Sequence, residues 1–270
     1  MAKRVYNTSR DTREIRHGKV LEICLNRPTL MNALREQTAD EILSALDRAE
    51  TDNDIRCVVL SGSERAFCTG IDTSEFNLTD RSYFDFFRFR KRQRLVGRLF
   101  RELPEFTKPV IAAVDGYALG GGLELALATD MIVANERAQF GLPEVNLGMM
   151  PGGAGTQLLP RRIGSALAKE LIWTGRHIGA EEALRIGLVN RVAAPGGAVA
   201  AAVEIGSVIA SKAPLSTMLT KSAIDRGANM SAADGAAYES DLSFLLYFSE
   251  DRAEGLQAFK EKRKPEFKGE

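Results

Sequence analysis

Histidine and cysteine are both scarce in this chain. Only two histidines, His17 and His177, occur in 270 residues. A histidine-based zinc site or a Ser-His-Asp triad therefore has little to draw on, and no metal site is expected. The three cysteines, Cys24, Cys57 and Cys68, are odd in number and lack metal-ligand or redox spacing. They read as reduced thiols, so a cytoplasmic protein is expected, with a mitochondrial matrix protein as the other possibility. Lys+Arg and Asp+Glu both number 36, which leaves no net charge. That balance argues against a general nucleic-acid binder and favours self-association. No stretch has the ~18 uninterrupted apolar residues of a membrane span. The opening MAKRVYNTSRDTREIRHGKV carries no apolar run of signal-peptide length. Short-period repeats and low-complexity segments are also lacking.

What is present is ordinary globular material, 44% hydrophobic and 27% charged, enough for a sizeable core. VLEICLN, residues 20–26, reads as a strand ended by NRP. Residues 32–50 read as a helix with Leu34, Ile42, Leu46 and Ala49 on one face. IRCVVLSG (55–62), PVIAAVDG (109–116) and MIVAN (131–135) are short apolar runs rich in β-branched residues, the mark of buried strands. GGGLELALAT lies between the last two, so the middle of the chain runs strand, glycine turn, helix, strand, an α/β pattern. After the linker-like APGGA every segment is helical. The division expected is an α/β core over 1–195 and a helical region over 196–270, whose apolar faces would pack on a neighbouring subunit.

Two glycine turns follow two of these strands, AFCTGID (66–72) and GYALGGGLELA (116–126). Facing each other, they could aim two backbone N–H groups at one developing oxyanion. Equally, the glycines could serve tight turns or close packing. The triple glycine is neither a dinucleotide fingerprint nor a P-loop. Glu124 falls in the first turns of the helix after the glycines, and Glu144 in the irregular FGLPEVNLG. A carboxyl among apolar neighbours has its pKa raised, which suits acid–base work near neutral pH. A helix-dipole partner and a solvated loop residue are the other reading of the two.

The segments 66–72 and 111–131 resemble the paired motifs of the crotonase superfamily, the enoyl-CoA hydratase/isomerase family. The similarity continues through AQFGLPEVNLGMMPGGAGTQLLPRRIG, TGRHIGAEEALRIGLVNRV and EDRAEGLQAFKEKRKPEF, nearly the whole chain. The resemblance implies a spiral of ββα repeats with a C-terminal helical trimerisation region. It implies an oxyanion hole from the N–H groups of Ile71 and Gly121, with Glu124 and Glu144 sharing the catalytic water. It also makes Ala66, Thr69, Gly70, Asp72 and Gly120 candidates for contacts with coenzyme A or substrate. The implied substrate is an acyl-CoA thioester, the implied reaction hydration of a 2-enoyl-CoA, and the implied assembly a homotrimer or dimer of trimers. No cofactor is called for beyond the coenzyme A of the substrate itself. Double-bond isomerisation and hydrolysis of a cyclic acyl-CoA are the family's alternatives.

The stretch 87–101 carries seven cations, Arg88, Arg90, Lys91, Arg92, Arg94, Arg98 and Arg101, and no acid. It reads as a solvated helix face, some of whose cations steer coenzyme A phosphates. RNA binding is the competing reading. Tyr83, Phe84, Phe86, Phe87 and Phe89 read as core, or as a wall of the acyl pocket. Trp173 and FLLYF (244–248) read as core or subunit contact.

Overall fold

The computed structural model describes residues 4–75, 90 and 96–270. The seven-stranded major sheet has the order β1-β2-β3-β4-β6-β8-β11. Its first three strands, β1 (Arg4–Thr8), β2 (Thr12–His17) and β3 (Val20–Leu25), form an antiparallel meander. Gly18, at φ +63°, makes the tight β2–β3 turn. From β3 onward the sheet is parallel, through β4 (Cys57–Ser61), β6 (Val110–Val114), β8 (Met131–Asn135) and β11 (Arg191–Ala193).

The four-stranded minor sheet has the order β10-β9-β7-β5. It holds β5 (Ala66–Cys68), β7 (Tyr117–Leu119), β9 (Gln139–Gly141) and β10 (Ile178–Gly179). Chain order now exposes the repeat. The chain gives β4 to the major sheet and β5 to the minor one. It repeats this with β6 and β7, and again with β8 and β9. A helical segment at 96–102 (α2) follows the first of these turns, and α3 (Gly121–Leu127) follows the second. The expected spiral of ββα units is this arrangement.

Parallel strands covered on both faces need apolar residues at nearly every position. All five residues of β4 and of β6 are buried. Val58, Leu60, Ala112 and Val114 face the main core, which takes in Ile42 and Leu46 of α1 (Glu36–Thr51) and Leu123 of α3. The alternate residues Cys57, Val59, Ile111 and Ala113 face the other way. They pack under α7 (Ala198–Ala210) through Ala198, Ala202 and Ala210. The expected division at 195/196 therefore needs correction. It placed α7 with the helical appendage, whereas small residues on one face of α7 seat it on the sheet as part of the α/β core. A Cβ at Gly206 would lie 3.2 Å from both Cys57 Sγ and Val20 Cγ2, which shows how closely helix and sheet approach.

Between β9 and β11 lie α4 (Gly155–Ile163), α5 (Ser165–Thr174) and α6 (Ala180–Arg185). The chain ends in α8 (Pro214–Gly227), α9 (Ala232–Leu246) and α10 (Glu250–Glu261). Neither α8 nor α9 buries a single residue within the protomer. The core reading of Trp173 and of FLLYF fails here, since Trp173 is 71% and Phe248 72% exposed. Among the described residues no single helix is long and apolar enough to cross a membrane. The aromatic group Tyr83, Phe84, Phe86, Phe87 and Phe89 lies outside the described residues, as do Arg88, Lys91, Arg92 and Arg94.

Candidate active site

The turn after β5 is fixed by its pairing with the segment before α1. Leu34 N donates to Gly70 O at 2.7 Å, and Asp72 N donates to Leu34 O at 2.8 Å. This short parallel bridge consumes the groups on either side of Ile71 and leaves the Ile71 N–H without an acceptor among the described residues. Gly70 sits at φ +105°, a conformation closed to residues with a Cβ. Arg27 Nη2 donates to Asp72 Oδ2 at 2.8 Å and braces the far side of the turn. That pair, with Ser74 N and Oγ donating to the other oxygen, holds the Asp72 carboxyl below its ordinary pKa against the opposing effect of burial.

The second turn leads from β7 into α3. Gly120 has φ +53° and ψ −129°, again open to glycine alone. Gly121 opens the helix, so its N–H is one of the unpaired donors of a helix N-terminus. Gly122 answers a different need. A Cβ there would lie 2.0 Å from Cys68 O, so only glycine lets α3 press against β5. The two turns touch: a Cβ at Gly70 would lie 3.3 Å from Gly121 N, and one at Gly121 would lie 3.4 Å from Gly70 Cα. Gly122 answers to packing, while the Ile71 and Gly121 amides have no backbone acceptor among the described residues.

Two carboxyls flank these amides. Glu124, on the first turn of α3, is buried and 3% exposed. Its Oε1 accepts from Gly153 N and Gly155 N, both at 2.8 Å. Burial raises its pKa, and the two amides pull against that rise. Gly153 and Gly155 carry no role in the sequence reading, although the PGGAG run before α4 was the available signal. Ala154 between them adopts φ +77°, an uncommon left-handed conformation that lets both amides converge on one oxygen. Glu144 stands on a 3₁₀ turn, Pro143–Leu147, that returns the chain from β9 to the glycine turn. Its Oε1 is 3.3 Å from where a Cβ at Gly120 would lie, and its Oε2 is buried without a hydrogen-bond partner among the described residues. Burial pushes its pKa up to about 7, the hydrogen bond from its own amide opposes this, and the Glu124 charge adds to the rise.

These residues share one cleft of about 220 Å³. Thr69, Gly70, Ile71, Asp72, Gly120, Gly121, Glu124 and Glu144 all line it. Ala66 does not, and this candidate is corrected. Ala66 is fully buried, and its carbonyl already accepts from Ser63 N and Asn32 Nδ2, each at 2.9 Å. Cys68 lies beneath the turn, where burial raises its thiol pKa to about 12 and leaves it unreactive.

Two amides converging on one point can stabilise the oxyanion of an activated acyl group. Two carboxyls beside that point can move protons to and from the neighbouring carbons. Fold and site together define an acyl-activating enzyme of the crotonase type. The model of the enoyl-CoA hydratase/isomerase family matches residues 15–270, and the chain belongs to that family. It is similar to the short-chain-enoyl-CoA hydratase of Clostridium acetobutylicum, with 41% identity over 252 residues, 93% of this chain and 95% of that one. It is 39% identical over 254 residues to the 2,3-dehydroadipyl-CoA hydratase of Escherichia coli, covering 94% of this chain and 97% of that one. The crystal structure of an enoyl-CoA hydratase from Bacillus anthracis superposes with a TM-score of 0.92 at 38% identity, covering 97% of this chain and 100% of that one.

Proposed function

We propose that this protein is an enoyl-CoA hydratase that adds water reversibly across the double bond of a 2-enoyl-CoA to give a 3-hydroxyacyl-CoA. One observation carries the reading: both Glu124 and Glu144 stand in the cleft that holds the Ile71 and Gly121 amides. Double-bond isomerisation needs only one acid in place, so the second carboxyl favours hydration.

The thioester oxygen accepts hydrogen bonds from Ile71 N and Gly121 N, which draws electron density from the β-carbon. Glu124 takes a proton from water as its oxygen bonds to the β-carbon. The two amides on Oε1 suit Glu124 to the ionised form this requires. The double-bond electrons move toward the thioester and form an enolate on the same two N–H groups. Glu144, with its pKa near 7, is protonated in a large share of molecules at neutral pH and delivers that proton to the α-carbon. Water is thereby added as hydroxyl and hydrogen, and exchange of protons between the carboxyls and solvent resets the pair. The scheme uses no metal and no redox cofactor. Thr69 and Gly70 line the same cleft, which supports assigning them contacts with the coenzyme A portion.

Glu124→Gln and Glu144→Gln are each expected to lower kcat by roughly 10²–10⁴ with crotonyl-CoA, while coenzyme A esters still bind. Loss of the conjugated enoyl-thioester absorbance reads this directly. Near-normal rates in either variant would remove that residue's role.

The same reading extends to the assembly and its setting. A homotrimer or dimer of trimers is supported by the apolar surface on α9 and α10, where Phe244 is 64% and Phe259 84% exposed. A cytoplasmic location fits three buried, unpaired thiols. The names of the relatives span short-chain enoyl-CoA and 2,3-dehydroadipyl-CoA, so membership of the family leaves the acyl group open.

A further inference from the structure

The Ile71 amide is aimed by its own peptide group. In a trans peptide the C=O and the N–H lie in one plane and point in opposite directions. Leu34 N donates to Gly70 O at 2.7 Å, so the N–H across that peptide, that of Ile71, points away from Leu34. The peptide that supplies this donor joins Ala33 to Leu34, and its carbonyl is held in turn, because Arg27 Nη1 donates to Ala33 O. The result is an unbroken line from the guanidinium through the Ala33–Leu34 peptide and the Gly70–Ile71 peptide to the Ile71 N–H.

Arg27 is built to head this line. The Leu34–Ile71 bridge lies outside the named strands, so no ladder of neighbouring pairs fixes its peptide planes. Arg27 grips both of its chains, with Nη1 on Ala33 and Nη2 on Asp72 Oδ2 at 2.8 Å, one residue beyond Ile71. A planar guanidinium sets both directions at once, which an ammonium does not. The guanidinium is itself fixed. Its side chain is 11% exposed, and its Nε lies 3.9 Å from Asp11 Oδ2. Asp11 accepts from Arg35 Nη2 at 2.6 Å and from Thr38 Oγ1 at 2.7 Å. Arg27 N donates to Asn32 Oδ1, and Asn32 Nδ2 donates to Ala66 O, each at 2.9 Å, which ties the loop to β5. Hydrogen bonds in series polarise one another, and a charged donor is stronger than a neutral one. A cation at the head of the series draws electron density along both peptides and makes the Ile71 N–H a stronger donor.

Building on the hydratase reading, we propose that Arg27 is a positioning residue for the oxyanion hole, which aims and polarises the Ile71 N–H through two intervening peptide groups. Arg27 does not line the cleft, so it acts through Ile71 and not on the substrate.

The test reads the thioester carbonyl itself. Isotope-edited infrared spectra of bound butyryl-CoA, a saturated thioester that cannot be hydrated, report hydrogen bonding to that oxygen without turnover. In the wild type the carbonyl band should lie below its position in water. In Arg27→Gln it should return part of the way, since Gly121 N–H remains. The same variant should lose roughly 10–100-fold in kcat on crotonyl-CoA with KM within about threefold, because the donor is present but no longer aimed. Arg27→Lys keeps the charge without the fork and should fall between the two. Arg48→Gln is the control for lost stability. It takes a 2.6 Å hydrogen bond from buried Glu14 on β2, and should lower the melting temperature while band and kcat stay as in the wild type.

A wild-type band and kcat in Arg27→Gln overturn the proposal. So does a loss of kcat with an unmoved band, which would make Arg27 merely structural, and so does an equal band shift in Arg48→Gln. Should Arg27→Gln not fold by circular dichroism, Arg27→Lys carries the test, and a wild-type band and kcat there overturn the proposal. The hydratase reading fails separately. A wild type inert on crotonyl-CoA that still shifts the butyryl-CoA band, with the shift reduced in Arg27→Gln, removes that reading and supports the role of Arg27.

Discussion

Glu124 and Glu144 are the same residue type in one cleft, yet the chain treats them differently. Two amides converge on Glu124, while Glu144 has one buried oxygen without a partner. Burial raises the pKa of both carboxyls, and the two amides that pull against that rise at Glu124 are what favour it as the base. The raised pKa of Glu144 also makes stability depend on pH in a calculable direction. A carboxyl raised from an ordinary 4.5 to about 7 binds its proton more tightly in the folded protein than in the unfolded chain. Its contribution is fully present below about 4.5 and is lost as the pH rises through about 7. Glu144→Gln keeps the shape and removes the charge. The variant should melt with the wild type at pH 4 and above it at pH 8, by about 2–4 °C for each ~1 kcal/mol relieved. Thermal melts at the two pH values check this, and an identical difference at both would reject the buried-charge account.

At the scale of elements, the site depends on where the backbone is denied its usual partners. The Leu34–Ile71 bridge, the start of α3 and the Gly153–Gly155 turn each present an N–H where an acyl oxygen or a carboxylate can use it. None of these elements stands alone, because each is pinned by its contacts with the two sheets. Helix α7 closes the far face of the major sheet, and Gly206 sets its distance. Gly206→Leu should overpack that contact and cost about 1–3 kcal/mol in denaturant unfolding. Gly227→Leu is the control, since nothing lies within 4 Å of a Cβ at that end of α8, and it should stay within about 0.5 kcal/mol of the wild type. Equal effects at the two positions would mean that α7 is no more part of the core than α8.

The whole protomer carries more apolar surface than its own core needs. Phe244, Leu245, Tyr247 and Phe248 project from the end of α9, and Phe244 and Phe248 stack edge to face 5.2 Å apart. A patch of this kind, on a helix with no fully buried residue, fits association with further copies of the chain. The zero net charge offers little long-range repulsion to oppose it. The double variant Phe244→Glu with Phe248→Glu should sediment as a smaller species than the wild type while keeping its far-ultraviolet circular dichroism. Unchanged sedimentation would reject this patch as a contact between copies of the chain.

Much of this was legible in the residues alone. The strands at 57–61, 110–114 and 131–135 announce themselves because a strand buried on both faces must be apolar throughout. Ile71, Gly121, Glu124 and Glu144 were singled out by the resemblance to the crotonase superfamily, since the residue pattern alone left tight turns, a helix-dipole partner and a solvated loop residue open. The minor sheet could not be read, since β5, β7 and β9 have three residues each and too little length to show a period. Nor could the strands Arg4–Thr8 and Thr12–His17, whose many charged and polar residues hide any apolar pattern. Contacts between distant segments decided the remainder. The carbonyl of Ala66 is taken by Asn32, 34 residues away, and Gly153 reaches Glu124 across 29 residues. Sequence patterns report what a residue's near neighbours require, whereas the donors left unspent and the depth of a cleft are set by which remote segments pair. For this chain the sequence determined the buried strands of the major sheet, the acids and the kind of reaction. Only the tertiary structure decided which amides are left without a backbone acceptor among the described residues and which carbonyl is already occupied.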